Sequence, residues 1–147
     1  VVINDGSRDC TLELCTNLGC NVINMLINCG LTVGFQTAAC YALENDYDYM
    51  VQFDADGQHR PEYISELVSK AQFDNADIVI GSRFLSMRKD MSMRMFGSRM
   101  ITFLIKMLTG KRISDPTSGF RLFNRDVLKE YSCNDALNPE PESIAFL

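Results

Sequence analysis

The sequence has one histidine, His59, and no C-x-x-C pair among its six cysteines, Cys10, Cys15, Cys20, Cys29, Cys40 and Cys133. A zinc site of ordinary spacing is therefore not expected. Buried, reduced thiols of a cytosolic protein are the expected state of the cysteines. Apolar stretches are only a few residues long, too short for a membrane-spanning helix. A basic start followed by an apolar core, the mark of a signal peptide, is not seen. The 147 residues are 46% apolar and 22% charged. That is the length of one domain with ordinary globular usage, and it excludes a disordered tail, a collagen-like fibre and a disulfide-dense mini-protein.

The net charge of −5 argues against a nucleic-acid partner. It conceals a segregation. Residues 1–82 carry 12 acidic and 3 basic groups, a balance of −9. Residues 83–129 carry 3 acidic and 11 basic groups, a balance of +8. One surface for a cation and another for an anion would fit this division, and so would a plain solvated basic face. The chain starts at Val1 inside an apolar run and stops at Ile144-Ala145-Phe146-Leu147, so a piece of something longer is expected.

Local patterns alternate. Residues 1–3 form a β-branched run that ends at the turn cluster Asn4-Asp5-Gly6-Ser7. Residues 10–18 have helical spacing and stop at Gly19. A second strand is predicted over 21–27, a glycine-bounded loop over 30–34 and a helix over 35–43. A third strand over 49–53 leads into Asp54-Ala55-Asp56-Gly57-Gln58. Pro61 suits a first helical position, with Ile64, Leu67, Val68 and Ala71 as the buried stripe. A fourth strand over 77–80 ends at Gly81-Ser82-Arg83. A short strand over 119–123 and a helix over 125–131 close the pattern. Strand–helix alternation implies a parallel or mostly parallel sheet with helices on its faces.

The candidate chemistry sits at strand ends, where ligands bind in open α/β sheets. Asp54 and Asp56 can share one hard divalent cation, Mg²⁺ or Mn²⁺, with Gln58 as a third oxygen ligand. A solvated Asp-rich turn has the same appearance. Asp5, Gly6 and Ser7 suit a nucleotide, with Asp5 accepting from a base or ribose donor, and suit an ordinary turn and N-cap equally. Arg83 and Arg121 are forked donors that match phosphate oxygens, and Ser118 beside Gly119 helps to cradle an anion.

Taken in this order, the stretches VVINDGSRDCT, ALENDYDYMVQFDADGQHRP, ADIVIGSRF, Leu108-Thr109-Gly110, ISDPTSGFRLFNRDVL and NPEPESI are specific. The chain resembles the family 2 glycosyltransferases of GT-A fold, in their dolichol-phosphate mannose synthase-like, polyprenyl-phosphate branch. The resemblance implies a Rossmann-like three-layer α/β sandwich with a mostly parallel mixed sheet. It also implies that the opening strand precedes Val1. It implies a single catalytic domain over 1–147, with 1–82 serving the nucleotide sugar and metal and 83–147 the acceptor. By this resemblance Asp5, Gly6, Ser7 and Asp54 bind the nucleotide. Asp54, Asp56 and Gln58 hold the metal. Arg83, Ser118 and Arg121 bind the acceptor phosphate. Asp56, Asp115 and Arg121 are the catalytic candidates, Asp115 positioning the acceptor or acting as base. Glu140 and Glu142 are further candidates facing the acceptor. One departure stands out: Phe35 occupies a position where the family usually has small residues.

The implied activity moves a sugar from a UDP- or GDP-sugar to a polyprenyl phosphate by metal-dependent inverting displacement. A transferase acting on a cell-envelope polysaccharide and a non-catalytic nucleotide-sugar-binding fragment are the alternatives. A phosphoryl-transfer domain built on Asp54 would want a D-x-D-x-T/V arrangement, which Asp54-Ala55-Asp56-Gly57-Gln58 lacks. Residues 86–112 mix methionines and aromatics with Arg88, Lys89, Arg94, Arg99, Lys106, Lys111 and Arg112. That composition suits peripheral contact with an anionic membrane at its cytoplasmic face, and equally a buried helix or a contact between copies in a homo-oligomer.

Overall fold

The computed structural model describes residues 1–82, 115, 117–134 and 139. Arg83, the basic segment 86–112, Glu140 and Glu142 lie outside the described residues. The chain divides into two compact units. The first holds residues 1–47 and 128–139, and the second holds 48–127 and 140–147.

In the first unit, β1 (Val2–Asp5) and β2 (Val22–Met25) pair in parallel, with Val2 opposite Val22 and Asp5 opposite Met25. Helix α1 (Thr11–Asn17) connects them, since parallel neighbours need a crossover. Its start is tied by Asp9, whose carboxylate accepts from the Thr11 hydroxyl at 2.6 Å and the Thr11 N–H at 3.1 Å. Those bonds hold the Asp9 carboxyl below its usual value, the side-chain bond contributing most.

Helix α2 (Leu31–Glu44) begins four residues before the predicted start. Gly30 is its cap rather than the first residue of a loop, and Gly34 lies inside the first turns, donating to the Gly30 carbonyl at 3.1 Å. A glycine in that place reads as a breaker in the sequence, yet here the helical ladder absorbs it. Phe35, Ala39 and Ala42 are the buried face of α2. Phe35 meets Tyr131 edge-to-face with centroids 4.8 Å apart, a favoured aromatic geometry. The large residue at position 35 thus serves the core of this unit.

In the second unit, β3 (Tyr49–Gln52), a single 3₁₀ turn (Pro61–Tyr63), α3 (Ile64–Asp74) and β4 (Ile78–Ile80) follow in chain order. The predicted stripe on α3 is found: Leu67 and Ala71 are buried, and Ile64 and Val68 pack beside them. They join Phe120 and Leu122 in one apolar cluster with Tyr49, Val51 and Val79.

Strand β5 (Arg121–Asn124) inserts between β3 and β4 and runs antiparallel to both. Arg121 sits opposite Gln52 on one side and Ile80 on the other. Strands β3 and β4 therefore run in the same direction, as the alternation implies, but the ladders of this sheet are antiparallel. Asn124 then starts α4 (Arg125–Cys133), its side-chain oxygen accepting from the Val127 N–H at 3.0 Å.

The architecture is α/β. All six cysteines are free, but five are exposed and Cys15 is half-buried, contrary to the expectation of burial. They fall on outward positions of short helices and on loops. Among the described residues no helix is long and apolar enough to cross a membrane.

Candidate functional site

Strand direction decides what meets in the second unit. Because β5 is antiparallel to β3 and β4, the residues before β5 lie at the same sheet edge as those that follow β3 and β4. Asp54, Gly81 and residues 118–121 thereby come together, although Asp54 and Ser118 are 64 positions apart in the chain. The Gly81 N–H donates to the Phe120 carbonyl at 2.8 Å. The Ser118 hydroxyl donates to the Gly81 carbonyl at 2.6 Å and its oxygen accepts from the Phe120 N–H at 3.3 Å.

Gly119 is a close-approach position. A Cβ there would stand 2.8 Å from Asp54 Oδ2 and 3.4 Å from His59 Cε1. Only a residue without a side chain leaves the Asp54 carboxylate where it is. Asp54 in turn is held by His59. The Asp54 N–H donates to His59 Nδ1 at 2.9 Å, and His59 Nε2 lies 3.8 Å from Asp54 Oδ2. The imidazole is wedged among rings, 5.7 Å from the Phe53 centroid and 5.2 Å from that of Phe120.

Asp56 is exposed, and its Oδ1 accepts from the Gln58 N–H at 2.9 Å. Among the described residues no group of three or more His, Cys, Asp or Glu side chains is gathered to hold a metal. The donor set of two carboxylates and an amide nonetheless fits Mg²⁺ or Mn²⁺, which take oxygen ligands and fill their shells with water and substrate phosphates. The Asp54 side chain keeps about half its surface accessible, at 48%. The carboxylates are thus reachable by a solvated cation.

Asp115, Ser118 and Arg121 are buried. Asp115 Oδ1 accepts from the Thr117 hydroxyl at 3.0 Å, and its carbonyl accepts from the Ser118 N–H at 3.2 Å. Arg121 Nε donates to the Ser118 carbonyl at 2.6 Å. The Ser118 hydroxyl is engaged within the protein. Its only hydroxyl proton is given to Gly81, so in this arrangement it joins strand ends instead of offering a donor to a phosphate. Arg121 likewise spends one of its five donors on its own loop.

Asp5 lies in the first unit. Both of its carboxylate oxygens accept backbone bonds, Oδ1 from the Cys29 N–H at 2.7 Å and Oδ2 from the Gly30 N–H at 2.8 Å. Its carbonyl accepts from Asn28 Nδ2 at 3.1 Å. Gly6 follows at φ +67°, and a Cβ there would stand 2.5 Å from the Asn28 nitrogen. The Asp5-Gly6 pair therefore closes the end of β1 onto the loop that leads into α2. A carboxylate oxygen has two lone pairs, so this does not exhaust Asp5 as an acceptor.

The family model for glycosyl transferase family 2 matches residues 1–132. The chain belongs to glycosyltransferase family 2. Relatives include an uncharacterized protein of Methanocaldococcus jannaschii, 31% identical over 88% of this chain and 55% of the relative. The polyprenol monophosphomannose synthase of Mycolicibacterium smegmatis is 30% identical, covering 88% of this chain and 52% of the relative. The UDP-N-acetylglucosamine–dolichyl-phosphate N-acetylglucosaminyltransferase of Methanococcus voltae is 28% identical, covering 90% and 61%. The chain spans about half the length of the curated relatives it matches.

His59 is the site residue that sequence reasoning missed. Its one visible signal was position: the only histidine of the chain directly follows Gln58, three residues after Asp56.

Proposed function

We propose that this family 2 chain carries the catalytic part of a glycosyltransferase that moves a sugar from a UDP- or GDP-sugar to a polyprenyl phosphate. The observation that carries this reading is the gathering of Asp54, Gly81 and residues 118–121 at one sheet edge. The named relatives support it, since two of them use polyprenol or dolichyl phosphate by name.

In this reading a phosphate oxygen of the acceptor attacks the sugar C1. The bond from C1 to the nucleoside diphosphate breaks, and the diphosphate leaves with the electron pair, so configuration inverts. Asp54 and Asp56, with Gln58, would hold Mg²⁺ or Mn²⁺, which when bound neutralises charge on the leaving diphosphate. Asp5, Gly6 and Ser7 serve the nucleotide. Asp115 positions the acceptor or takes a proton. The acceptor phosphate is already ionised at neutral pH, so a strong base is unnecessary. Arg121 and Arg83 hold that phosphate in line, lowering the barrier through position. Ser118 acts by fixing the loop that carries Arg121. Peripheral membrane contact through 86–112, at the cytoplasmic face, would bring the lipid acceptor within reach.

The test is a donor screen on the full-length protein with polyprenyl phosphate, Mn²⁺ and a panel of UDP- and GDP-sugars, read as labelled lipid-linked sugar. Transfer from one donor is expected. Calorimetric binding of a nucleotide sugar without turnover would replace this reading with a binding module.

A further inference from the structure

We propose that His59 is a positioning residue that aims the Asp54 carboxylate at the cation, an inference that rests on the metal role proposed above. Four observations meet on it. A backbone N–H can only donate, so the Asp54 N–H bond at 2.9 Å makes His59 Nδ1 an acceptor and leaves the ring proton on Nε2. That same ring edge, Nε2, stands 3.8 Å from Asp54 Oδ2. One imidazole thus faces both the backbone and the carboxylate of a single residue. Third, Phe53 and Phe120 pack against the ring, and its side chain is only 10% exposed, so its orientation is set by packing. Fourth, the space that receives both groups exists because residue 119 is glycine.

Rotation of the Asp54 carboxylate is what this arrangement limits. Asp54 is the second residue past the last paired position of β3, where ladder bonds no longer restrain the chain. An aspartate there is free to move its backbone unless its N–H is fixed, and free to turn its carboxylate unless neighbours such as His59 Nε2 and the residue at 119 bound the space. His59, five residues on, supplies that fixed acceptor and closes the intervening turn. Residues that orient a metal ligand in this way typically alter metal affinity 10–100-fold when changed. The imidazole itself is not assigned as a ligand, because Nδ1 is occupied by the Asp54 N–H.

Substitution chemistry separates positioning from mere packing. His59→Asn puts an amide oxygen near the place of Nδ1 and so keeps the acceptor. His59→Gln extends past it, and His59→Phe keeps the ring but removes the acceptor. The readout is Mn²⁺ affinity of the full-length protein, followed by the electron paramagnetic resonance signal of free Mn²⁺ in the presence of GDP and, separately, UDP. Wild type and His59→Asn are expected to agree within about threefold, while His59→Gln and His59→Phe bind about 10–100-fold more weakly at an unchanged circular dichroism spectrum. Equal Mn²⁺ affinity in His59→Gln and wild type overturns the proposal, as does a His59→Asn variant as weak as His59→Gln. This contrast between two amides stands even where the Phe variant does not fold. Asp56→Ala separates the role of the cation from the role of His59. A wild type that binds no Mn²⁺ with either nucleotide removes the metal reading and this inference together. A wild type that binds, an Asp56→Ala variant that does not, and an unaffected His59→Gln variant remove this inference alone.

Discussion

The Ser118 hydroxyl donates its only proton to the Gly81 carbonyl oxygen, 2.6 Å away, and so ties the end of β4 to the approach of β5. Both strand ends carry residues of the candidate site, which makes this bond a test of what Ser118 does. Ser118→Ala leaves the Gly81 carbonyl and the Phe120 N–H without this partner. The expected cost is about 1–3 kcal/mol, read as a lower urea midpoint. An unchanged midpoint with lost transfer would instead assign Ser118 to the acceptor phosphate.

Gly119→Ala adds one methyl group 2.8 Å from Asp54 Oδ2, a separation that non-bonded atoms do not hold. The carboxylate has to swing away. Mn²⁺ affinity is expected to fall about tenfold or more, as for other changes that disorient a ligand. Titration of the variant with Mn²⁺ and GDP or UDP checks this, and wild-type affinity would mean that the carboxylate has no fixed role.

Asp56→Ala removes an exposed carboxylate that contributes nothing to the core. The fold should survive, with an unchanged circular dichroism spectrum. Sugar transfer by the full-length protein should drop by about 10³-fold or more, the scale of losing several kcal/mol of charge stabilisation. Near-normal turnover under saturating Mn²⁺ would remove the metal role.

Asp5 offers a contrast between stability and binding. Its two oxygens accept from the Cys29 and Gly30 N–H groups. Asp5→Ala is expected to cost about 2–3 kcal/mol in urea unfolding, since bonds to a charged acceptor are the stronger kind. Asp5→Asn should not rescue it, because its amide nitrogen would turn a donor toward one of two donors. A stable Asp5→Asn variant with weakened nucleotide binding would make the nucleotide the main partner of Asp5.

The start of α1 should be acid-sensitive. Asp9 is held below its usual value by the Thr11 hydroxyl and, to a lesser degree, the Thr11 N–H. A lowered folded-state value means that the contribution is present above the unfolded value and is lost as pH falls through the folded one. Protection of the first-turn amides of α1, taken against the intrinsic exchange rate at each pH, should therefore be steady from neutral pH down to about pH 4, near the ordinary aspartate value, and decrease below it. Asp9→Ala should abolish that dependence.

Much of this molecule is legible locally. The strand–helix alternation, the buried stripe of α3 and the positions of β1 to β4 follow from periodicity and turn residues, which act over a few neighbours. The start of α2 was misjudged for the same reason: Gly30 and Gly34 signal a break to their neighbours, while the helix ladder that spans them is favoured by the burial of Phe35, Ala39 and Ala42.

What the sequence by itself determined is the family and most of the local elements; it also marked the carboxylates at positions 54 and 56, at a strand end, as candidate ligands. Short motifs carry such information because each is contiguous. Only the tertiary structure decided that β5 runs between β3 and β4 and against both of them. Strand order and direction rest on hydrogen bonds between residues far apart in the chain, which no local pattern encodes. That one antiparallel insertion brings Gly119 to Asp54 and Ser118 to Gly81, and it buries Ser118 and Arg121 beside them. It also gives the single histidine, first notable only for arguing against zinc, a definite partner in Asp54.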